Sequence, residues 1–354
     1  ANVDKTFTVG FGSDEKYNEI SWAKEFSEAI GKENFSKVIS AEEYWGNLAK
    51  IQYHMDEPLA DPAAIALYFV CNIASKQLKV VLSGEGADEI FGGYNVYSEP
   101  DGTAYDKLPM GLKRGIGHIC EHLPAQKGVN FFVRKGKTLE ERFIGNAYMF
   151  TPEERKALLK ITTSAPDPTV ITKPFYDKVK DKDDVTKMQY IDTNFWLQGD
   201  ILLKADKMSM AHCLESRVPF LDVKVFDYAK KLPIDFRCNE EATKRAFRIA
   251  AKRHLPEATA NKKKLGFPVP IRVWLKEDKY YNKVYEMFTS DVANKYFNTE
   301  LLVKLLEDHK ADKADNSRKI WTIYVFLVWY NVYFVEEDFK PINDEWVKNR
   351  IKTA

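Results

Sequence analysis

The stretch Leu78–Glu89 reads LKVVLSGEGADE, and it decides the fold class of this 354-residue chain. A short apolar, β-branched run breaks at Ser83 into a glycine-rich turn. This pattern is typical of a buried parallel strand that ends at a ligand site, because ligands bind beyond the carboxyl ends of such strands. Gly84 and Gly86 allow the backbone to approach a ligand closely and to adopt a positive φ without a Cβ penalty.

The charge of this turn is unusual for a loop that binds phosphate. Its acids are Glu85, Asp88 and Glu89, and bare carboxylates repel phosphate oxygens. They therefore favour a loop that holds phosphate through Mg²⁺, or one that holds a cationic or nucleophilic substrate. An acidic helix N-terminus, with Asp88 and Glu89 complementing the helix dipole, explains the same residues. The local pattern leaves these interpretations open.

The residues before this turn alternate between strand and helix patterns. The predicted strands and helices are 6–11, 20–30, 35–39 and 63–75, with a further helix opened by the capping box of Ser40 and Glu43. This order predicts right-handed crossovers and a parallel sheet. After Tyr94 the apolar spacing is mostly helical. We therefore predict an α/β fold, with a partial nucleotide-binding region at 1–98 and a mainly helical region at 99–354.

Composition excludes several classes of protein. Lysine and arginine number 53 against 52 aspartates and glutamates, so no surface for nucleic acid or an anionic membrane is indicated. The four cysteines show no C-x-x-C spacing, which favours free thiols and a cytoplasmic location. The N-terminal residues show no signal peptide. The apolar run 320–334 is shorter than the roughly 20 residues that a bilayer needs, so a buried helix is expected there.

Other segments carry residue types that chemistry uses. Two prolines stiffen the loop that holds Asp61, which suits a ligand contact but is also ordinary turn chemistry. Glu215 and Arg217 flank an apolar stretch and are expected to form a buried ion pair. The lysines before Gly266 form either a surface patch or a source of one ammonium for a polyphosphate. The H-x-x-E-H pattern at 118–122 matches a zinc-peptidase motif, but a short, partly exposed helix is the favoured interpretation.

Together these segments resemble the synthetase domain of the glutamine-hydrolysing asparagine synthetase family. The acidic turn, within VVLSGEGADEIFGGY at 80–94, is similar to the second nucleotide loop of that family. The segment ESRVPFLD at 215–222 is similar to its helical signature, and KLGF at 264–267 to its catalytic-lysine segment. The resemblance extends from about residue 6 to residue 335, nearly the whole chain.

The resemblance implies an ATP pyrophosphatase fold of the adenine nucleotide alpha hydrolase-like type. It implies that ATP and Mg²⁺ are used to adenylate the side-chain carboxylate of aspartate, and that ammonia then attacks to give asparagine and AMP. The residues implied to act are Val9, Ser83 and Gly84 at ATP, Asp88 at Mg²⁺ on the pyrophosphate, Lys264 at the reacting phosphorus, Glu85 at aspartate or the ammonia nucleophile, and Asp61 at the substrate. Such adenylation depends on positioning and charge neutralisation.

The sequence departs from the family pattern in two respects. It has neither the cysteine nucleophile nor the domain that releases ammonia from glutamine, and it has no Ser-Gly-Gly-x-Asp-Ser loop. In the family, that loop follows a central strand, whose absence leaves strand edges unpaired. We therefore expect another chain, or another part of a longer polypeptide, to supply the glutaminase and pyrophosphate-loop portion. A homodimer is also left open, and no nucleic acid or membrane partner is expected.

Two other functions remain as alternatives at this point. One is another adenylating, amide-forming member of the family, such as a β-lactam synthetase or a peptide cyclase. The other is a non-catalytic fragment that kept the fold as a binding or scaffold unit.

Overall fold

The computed structural model describes residues 3–12, 14, 16–98, 104–121, 123, 128–239, 241–262 and 266–335. Its first unit is β1 (Lys5–Phe11), α1 (Ile20–Ala29) and β2 (Glu33–Ile39). The two strands pair in parallel along their whole length, from Lys5 opposite Glu33 to Phe11 opposite Ile39. Gly31 follows α1 with a φ of 66°, a left-handed conformation that glycine adopts without a steric penalty. The predicted β-α-β unit is confirmed.

Three helices follow this unit: α2 (Ala41–Gly46), α3 (Leu48–Met55) and α4 (Ala63–Ser75). The expected capping box opens α2, because Ser40 accepts from the Glu43 amide and the Glu43 carboxylate accepts from the Ser40 amide. The helix α4 is buried along much of its length and packs against both β1 and β2. It therefore forms the layer that covers this sheet.

The acidic turn lies after a second, smaller sheet. Here β3 (Val80–Leu82) pairs in parallel with β4 (Glu215–Arg217). The sequence predicted the first of these strands but not the second, which is three residues long and pairs far along the chain. The two strand pairs are separate sheets in the described part of the chain, whereas the sequence indicated one. Both lie against α4, since Phe7 and Val81 pack on the same buried cluster of Cys71, Ala74 and Leu214.

The rest of the described chain is helical apart from β4 and isolated bridges, as the spacing after Tyr94 indicated. Its α-helices are α5 (Ala87–Phe91), α6 (Met110–Glu121), α7 (Val129–Lys135), α8 (Leu139–Arg142), α9 (Pro152–Leu158), α10 (Pro168–Lys178), α11 (Asp184–Asn194), α12 (Leu203–Met210), α13 (Val223–Ala229), α14 (Ile234–Arg237), α15 (Arg245–Ala251), α16 (Glu257–Asn261), α17 (Ile271–Trp274), α18 (Asp278–Phe288), α19 (Asp291–Tyr296), α20 (Thr299–Lys310) and α21 (Ser317–Phe334). A π-helical segment, Leu197–Leu202, leads directly into α12.

The largest buried cluster joins the two ends of the chain. Aromatic rings of α2 pack on later helices, with Tyr44 lying 4.9 Å from Trp274 and Trp45 stacked 4.9 Å from Tyr280 between ring centroids. Trp321 of α21 meets Trp45 edge to face at 5.4 Å. The apolar run 320–334 is thus a buried core helix, and no described helix is long and apolar enough to cross a bilayer. The division at residue 98 stays a prediction.

Candidate active site

The turn Ser83–Glu89 continues β3 and is fixed by the neighbouring strand. The Ser83 amide donates to the Arg217 carbonyl at 2.8 Å, which extends the ladder by one bond beyond Leu82. The Ala87 amide then approaches the Gly84 carbonyl at 3.4 Å, and α5 begins at Ala87. The turn therefore lies at the carboxyl end of a parallel strand, where ligands bind in α/β sheets.

The two glycines of the turn serve different purposes. Gly86 has a φ of 85°, and a Cβ there would collide with the Leu221 side chain, so glycine is needed for packing as well as for the turn. Gly84 has no positive φ, which corrects that expectation. It is exposed, with open space where a Cβ would stand, so its backbone is accessible to a ligand.

Asp88 is a partly exposed acid of the turn, and it forms an ion pair with Lys244. Its carboxylate lies 3.1 Å from the Lys244 ammonium, and the two side chains are 28% and 19% exposed. A Cβ on Gly93 would collide with the Asp88 carboxylate, so this glycine lets the carboxylate fold back over the turn. The Lys244 amide donates to the Gly92 carbonyl at 3.2 Å. Backbone and side chain of Lys244 thus both contact this loop.

Glu89 is buried and belongs to the support of the turn. The Tyr94 hydroxyl donates to its carboxylate at 2.5 Å, and the Trp196 indole donates to the Tyr94 oxygen at 3.0 Å. The Gln189 side-chain amide donates to the Glu89 carbonyl at 2.7 Å. Because Gln189 of α11 and Trp196 just after it donate to Glu89 and to its partner Tyr94, the helical region helps to set the position of α5. Asp88 and Glu89 both lie in the first turn of α5, as the dipole interpretation expected.

Glu85 is half-buried and faces an acidic environment. Burial raises the pKa of its carboxyl above the usual value, Lys204 opposes this rise, and Glu89, Asp61 and Asp88 add to it. A carboxylate with a raised pKa is a stronger base near neutral pH than an ordinary glutamate. Glu85 is therefore suited to accept a proton or to contact a cationic group.

Asp61 lies in a buried cluster with Lys204 and Asp200. The Lys204 ammonium donates to Asp61 and, at 3.0 Å, to Asp200. The side chains of Lys204, Asp61 and Asp200 are only 6%, 15% and 10% exposed. The Ala63 amide at the start of α4 also donates to Asp61, at 2.9 Å. The cluster joins the loop before α4 to the π-helical segment and α12.

The charges of this cluster shift in a consistent way. Burial acts most strongly on the pKa of Asp61 and raises it, but Lys204 and the Ala63 amide bring the net pKa below the usual value. The pKa of Asp200 is raised by burial and by the Asp61 charge. The pKa of Lys204 is raised, because its two carboxylates outweigh the opposing effect of burial. Lys204 therefore stays charged while the two carboxyls compete for it.

Comparison with known proteins identifies the family. The asparagine synthase family model matches residues 3–331. Asparagine synthetase (glutamine-hydrolyzing) 1 of Bacillus subtilis is 46% identical over 339 residues. The chain belongs to the asparagine synthase family. A second Bacillus subtilis protein, asparagine synthetase (glutamine-hydrolyzing) 3, is 25% identical over 274 residues, and amidase chry2 of Gibberella zeae is 24% identical over 353 residues.

The chain spans about half the length of the curated relatives that it matches. The match covers 95% of this chain and 53% of the first Bacillus subtilis relative. For the second relative and for amidase chry2 these shares are 74% and 40%, and 92% and 52%. The resemblance to the asparagine synthase family that the sequence indicated is thus confirmed over almost the whole chain.

Two predicted site residues of this asparagine synthase family member lie away from the turn or outside the description. Lys264 is among the residues that the structure does not describe. Val9 is buried in β1 opposite Lys37, and its strand packs on α4, as β3 does. Ser83, Gly84, Glu85 and Asp88 all lie within the turn itself. The roles of these residues stay predictions.

One expectation about the family signature is wrong in detail. Glu215 and Arg217 do pair, at 2.8 Å, but their side chains are 54% and 65% exposed. They lie in β4, where successive side chains alternate between faces, so residues two apart share the same exposed face. The zinc-type pattern at 118–122 ends on His122, which lies outside the described residues; His118, in the last turn of α6, is 75% exposed.

Sequence reasoning missed Lys204, Lys244, Asp200 and Tyr94 as parts of this site. Each contacts a residue of the turn or of the Asp61 loop, yet most of these contacts join segments far apart in sequence. Lys204 and Asp61, for example, are separated by 143 positions. The spacing of Asp200 and Lys204 by four residues was the one local signal, since such residues face each other on a helix.

Proposed function

We propose that this chain carries out the synthetase step of ATP-dependent asparagine formation in the cytoplasm. The side-chain carboxylate of aspartate attacks the α-phosphorus of ATP, pyrophosphate leaves, and ammonia then displaces AMP to give the amide. The observation that carries this proposal is the Ser83–Glu89 turn at the end of β3, with an accessible Gly84 backbone, Asp88 beside Lys244, and a half-buried Glu85. Membership of the asparagine synthase family supports the same reaction.

We assign ATP to the backbones of Val9 and Gly84 and to Ser83. Asp88 fits Mg²⁺, because this ion prefers one or two protein carboxylates together with phosphate oxygens. Bound there, Mg²⁺ would neutralise charge on the pyrophosphate. Lys244 would then share its ammonium between Asp88 and the phosphate oxygens.

Glu85 and Lys264 receive the roles closest to the reacting atoms. The raised pKa of Glu85 supports a base that orients the aspartate or accepts a proton from the ammonia nucleophile. Lys264 would face the reacting phosphorus, where a charge pair at ~4 Å is worth about 4 kcal/mol at an effective dielectric near 20. The match of KLGF at 264–267 to the family pattern supports this role.

The strand edges support a partner that completes the site. β1 and β3 each pair on one side only within the described chain, and Val80 and Leu82 are 42% and 50% exposed. Both strands rest on α4, and the Lys5 ammonium donates to Gln77, just before β3, at 2.7 Å. We propose that a parallel strand with a Ser-Gly-Gly-x-Asp-Ser loop inserts between β1 and β3. We place it in the glutaminase-containing portion, which would also release ammonia from glutamine.

The test measures pyrophosphate release that depends on aspartate. The chain is assayed alone and together with the part of the first Bacillus subtilis relative that the match does not cover, with ATP, Mg²⁺, L-aspartate and an ammonium salt. We expect the combined protein to form pyrophosphate, AMP and asparagine in equal amounts. Release that is independent of aspartate, or no release from the combined protein, would overturn the proposal. An adenylated product other than an aspartate derivative would favour another amide-forming family member.

Lys264→Ala in the combined protein provides the sharper mechanistic test. Loss of this charge should abolish pyrophosphate release while glutamine hydrolysis continues, since the two reactions use different portions of the enzyme. Lys252→Ala, at the end of α15, is the matched control and should leave both activities unchanged. Normal pyrophosphate release by Lys264→Ala would remove this lysine from the catalytic role.

A further inference from the structure

A cavity of about 340 Å³ lies beside the Asp61–Lys204–Asp200 cluster. Residues of the loop before α4, of 144–149, of the π-helical segment and of the first turns of α21 line it. Its volume falls at the lower end of the range of about 300 to 1,000 Å³ that small-molecule sites occupy. It therefore has room for a ligand of the size of an amino acid.

The acidic residues of the cavity lining are buried. Asp61 and Asp200 line it, and Lys204 is the cation between them. Glu85 lies close enough to the Asp61–Lys204 pair for both charges to shift its pKa. Carboxylates therefore outnumber ammonium groups in this buried region, and buried charges need partners of opposite sign. The acidic part of the lining therefore favours a cationic group.

Asp200 is the acid with capacity for such a group. Asp61 already accepts from both Lys204 and the Ala63 amide. Besides its hydrogen bond with Asp61, Asp200 accepts from Lys204 at 3.0 Å, and a carboxyl group that accepts has room for further donors. The π-helical segment places Asp200 one turn before Lys204, so the lysine orients the carboxylate on the cavity wall.

The cavity lining also contains a cationic residue. Arg318, in the first turn of α21, lines it and is exposed, and the described residues provide no carboxylate for its guanidinium. Trp196 and Met149 add apolar surface to the lining. A cavity lined by an arginine fork, a carboxylate and apolar side chains offers partners for the ammonium and carboxylate groups of a free α-amino acid.

We propose that this cavity binds the α-ammonium and α-carboxylate groups of the amino-acid substrate. Asp200 accepts from the α-ammonium, Arg318 donates to the α-carboxylate, and Lys204 is a positioning residue that holds Asp61 and Asp200. The side chain of the substrate then extends past the Asp61–Lys204 pair towards Glu85 and the Ser83–Glu89 turn. The choice of aspartate as the ligand rests on the proposed function, whereas the recognition of an α-amino acid rests on the cavity.

The test pairs two variants with ligands that each lack one group. Succinate lacks the ammonium of aspartate, and β-alanine lacks its α-carboxylate. Affinities of the full chain for L-aspartate, succinate and β-alanine are measured by titration calorimetry. Asp200→Asn should weaken the binding of L-aspartate and β-alanine by about ten- to a hundredfold, which is the contribution expected of a hydrogen bond to a charged group. The binding of succinate should be unchanged. Arg318→Gln should weaken L-aspartate and succinate to the same extent and leave β-alanine unchanged.

Matched controls separate the cavity from general effects. Asp206→Asn removes an exposed carboxylate from α12, and Arg272→Gln removes an exposed arginine from α17; both should bind all three ligands like the unchanged chain. Arg318 is exposed, so its variant is expected to fold, and thermal melting checks the Asp200 variant. If both variants bind L-aspartate normally, or lose all three ligands equally, the cavity is not the recognition site.

The same titrations distinguish failure of the inference from failure of the proposed function. Binding of another α-amino acid in place of L-aspartate, with loss on Asp200→Asn and Arg318→Gln, would keep the cavity assignment and overturn aspartate as the substrate. Aspartate-dependent pyrophosphate release that neither variant alters would keep the proposed function and overturn the cavity assignment.

Discussion

Two lysines bind carboxylates in this site, and they do so in different environments. Lys204 is 6% exposed between Asp61 and Asp200, whereas Lys244 and Asp88 are 19% and 28% exposed. Removing one partner of a buried pair leaves an uncompensated charge, while a solvated pair is readily exchanged. The comparison therefore separates a fixed cluster that shapes the site from an exchangeable pair that can turn to a ligand.

The largest expected effect is on folding, from Lys204→Met. Loss of the ammonium leaves Asp61 and Asp200 buried together, so we expect a destabilisation of about 3–5 kcal/mol. Urea unfolding measures it. Lys207→Met is the control on the same helix, because Lys207 pairs with Asp56 at the surface, where such pairs contribute about 0–1 kcal/mol. Equal losses in both variants would show that the buried cluster has no special structural weight.

The next largest effect is on activity, from Asp88→Asn in the combined protein. Since Asp88 is proposed to hold Mg²⁺ on the pyrophosphate, its loss should lower aspartate-dependent pyrophosphate release by about a hundred- to a thousandfold. Stability should change little, because the pair with Lys244 is partly solvated. Asp227→Asn, at an exposed position of α13, should retain full activity. Full activity in Asp88→Asn would instead assign the Asp88–Lys244 pair to the scaffold.

The contrast between these two lysines also marks how far the sequence could predict the structure. The unit β1-α1-β2, the capping box at Ser40 and the helix α4 follow from local patterns, because turns, caps and apolar spacing act over a few residues. The turn at Ser83–Glu89 was recognisable for the same reason. Most of the predicted site residues lie in this turn, so they could be proposed from local sequence patterns alone.

The remaining parts depend on contacts between distant segments. Neither Lys204 nor Lys244 stands in a distinctive motif. Lys204 meets Asp61 only when α12 packs against the loop before α4, and Lys244 meets Asp88 only when the start of α15 packs against the turn. The strand β4 has three residues and is recognised by its pairing with β3 rather than by its own composition. The surface position of Glu215 and Arg217 follows from that pairing, which explains why a buried pair was expected there.

Asp192 is a buried carboxylate that has no lysine partner among its described hydrogen-bond donors, so its effect on stability should depend on pH. Asp192 accepts from the Tyr97 hydroxyl at 2.5 Å and from the Asn146 side chain at 2.7 Å, which are neutral donors. Burial raises its pKa to about 7. The folded protein therefore holds this proton to a higher pH than the unfolded chain does. The stabilisation is fully present below about pH 4 and is lost as the pH rises through about 7.

Asp192→Asn should remove this dependence, because the amide cannot ionise. We expect the free energy of unfolding of the unchanged protein to fall by up to about 1.4 kcal/mol per pH unit within that window from this group, and the variant to show a flatter profile. Urea unfolding at several pH values measures both slopes. Asp177→Asn, at an exposed position of α10, should keep the slope of the unchanged protein. A profile that Asp192→Asn leaves unaltered would contradict the raised pKa.

The smallest expected effect comes from Lys244→Gly. Lys244 has a φ of 52°, a conformation that disfavours side chains with a Cβ and that glycine adopts freely. Relief of this strain offsets both the loss of the pair with Asp88 and the greater freedom of glycine in the unfolded chain. The free energy of unfolding should therefore change by less than about 1 kcal/mol.

Asp312→Gly provides the matched control for this variant, since Asp312 has a φ of 57° and pairs with Lys276 at the surface. Urea unfolding of both variants should give similar small changes. If Lys244→Gly were destabilised as strongly as Lys204→Met, the Asp88–Lys244 pair would be a second fixed cluster rather than an exchangeable one. A small change would instead mean that glycine at position 244 gives an equally stable protein. The strained lysine would then be explained by the role of its side chain and not by stability.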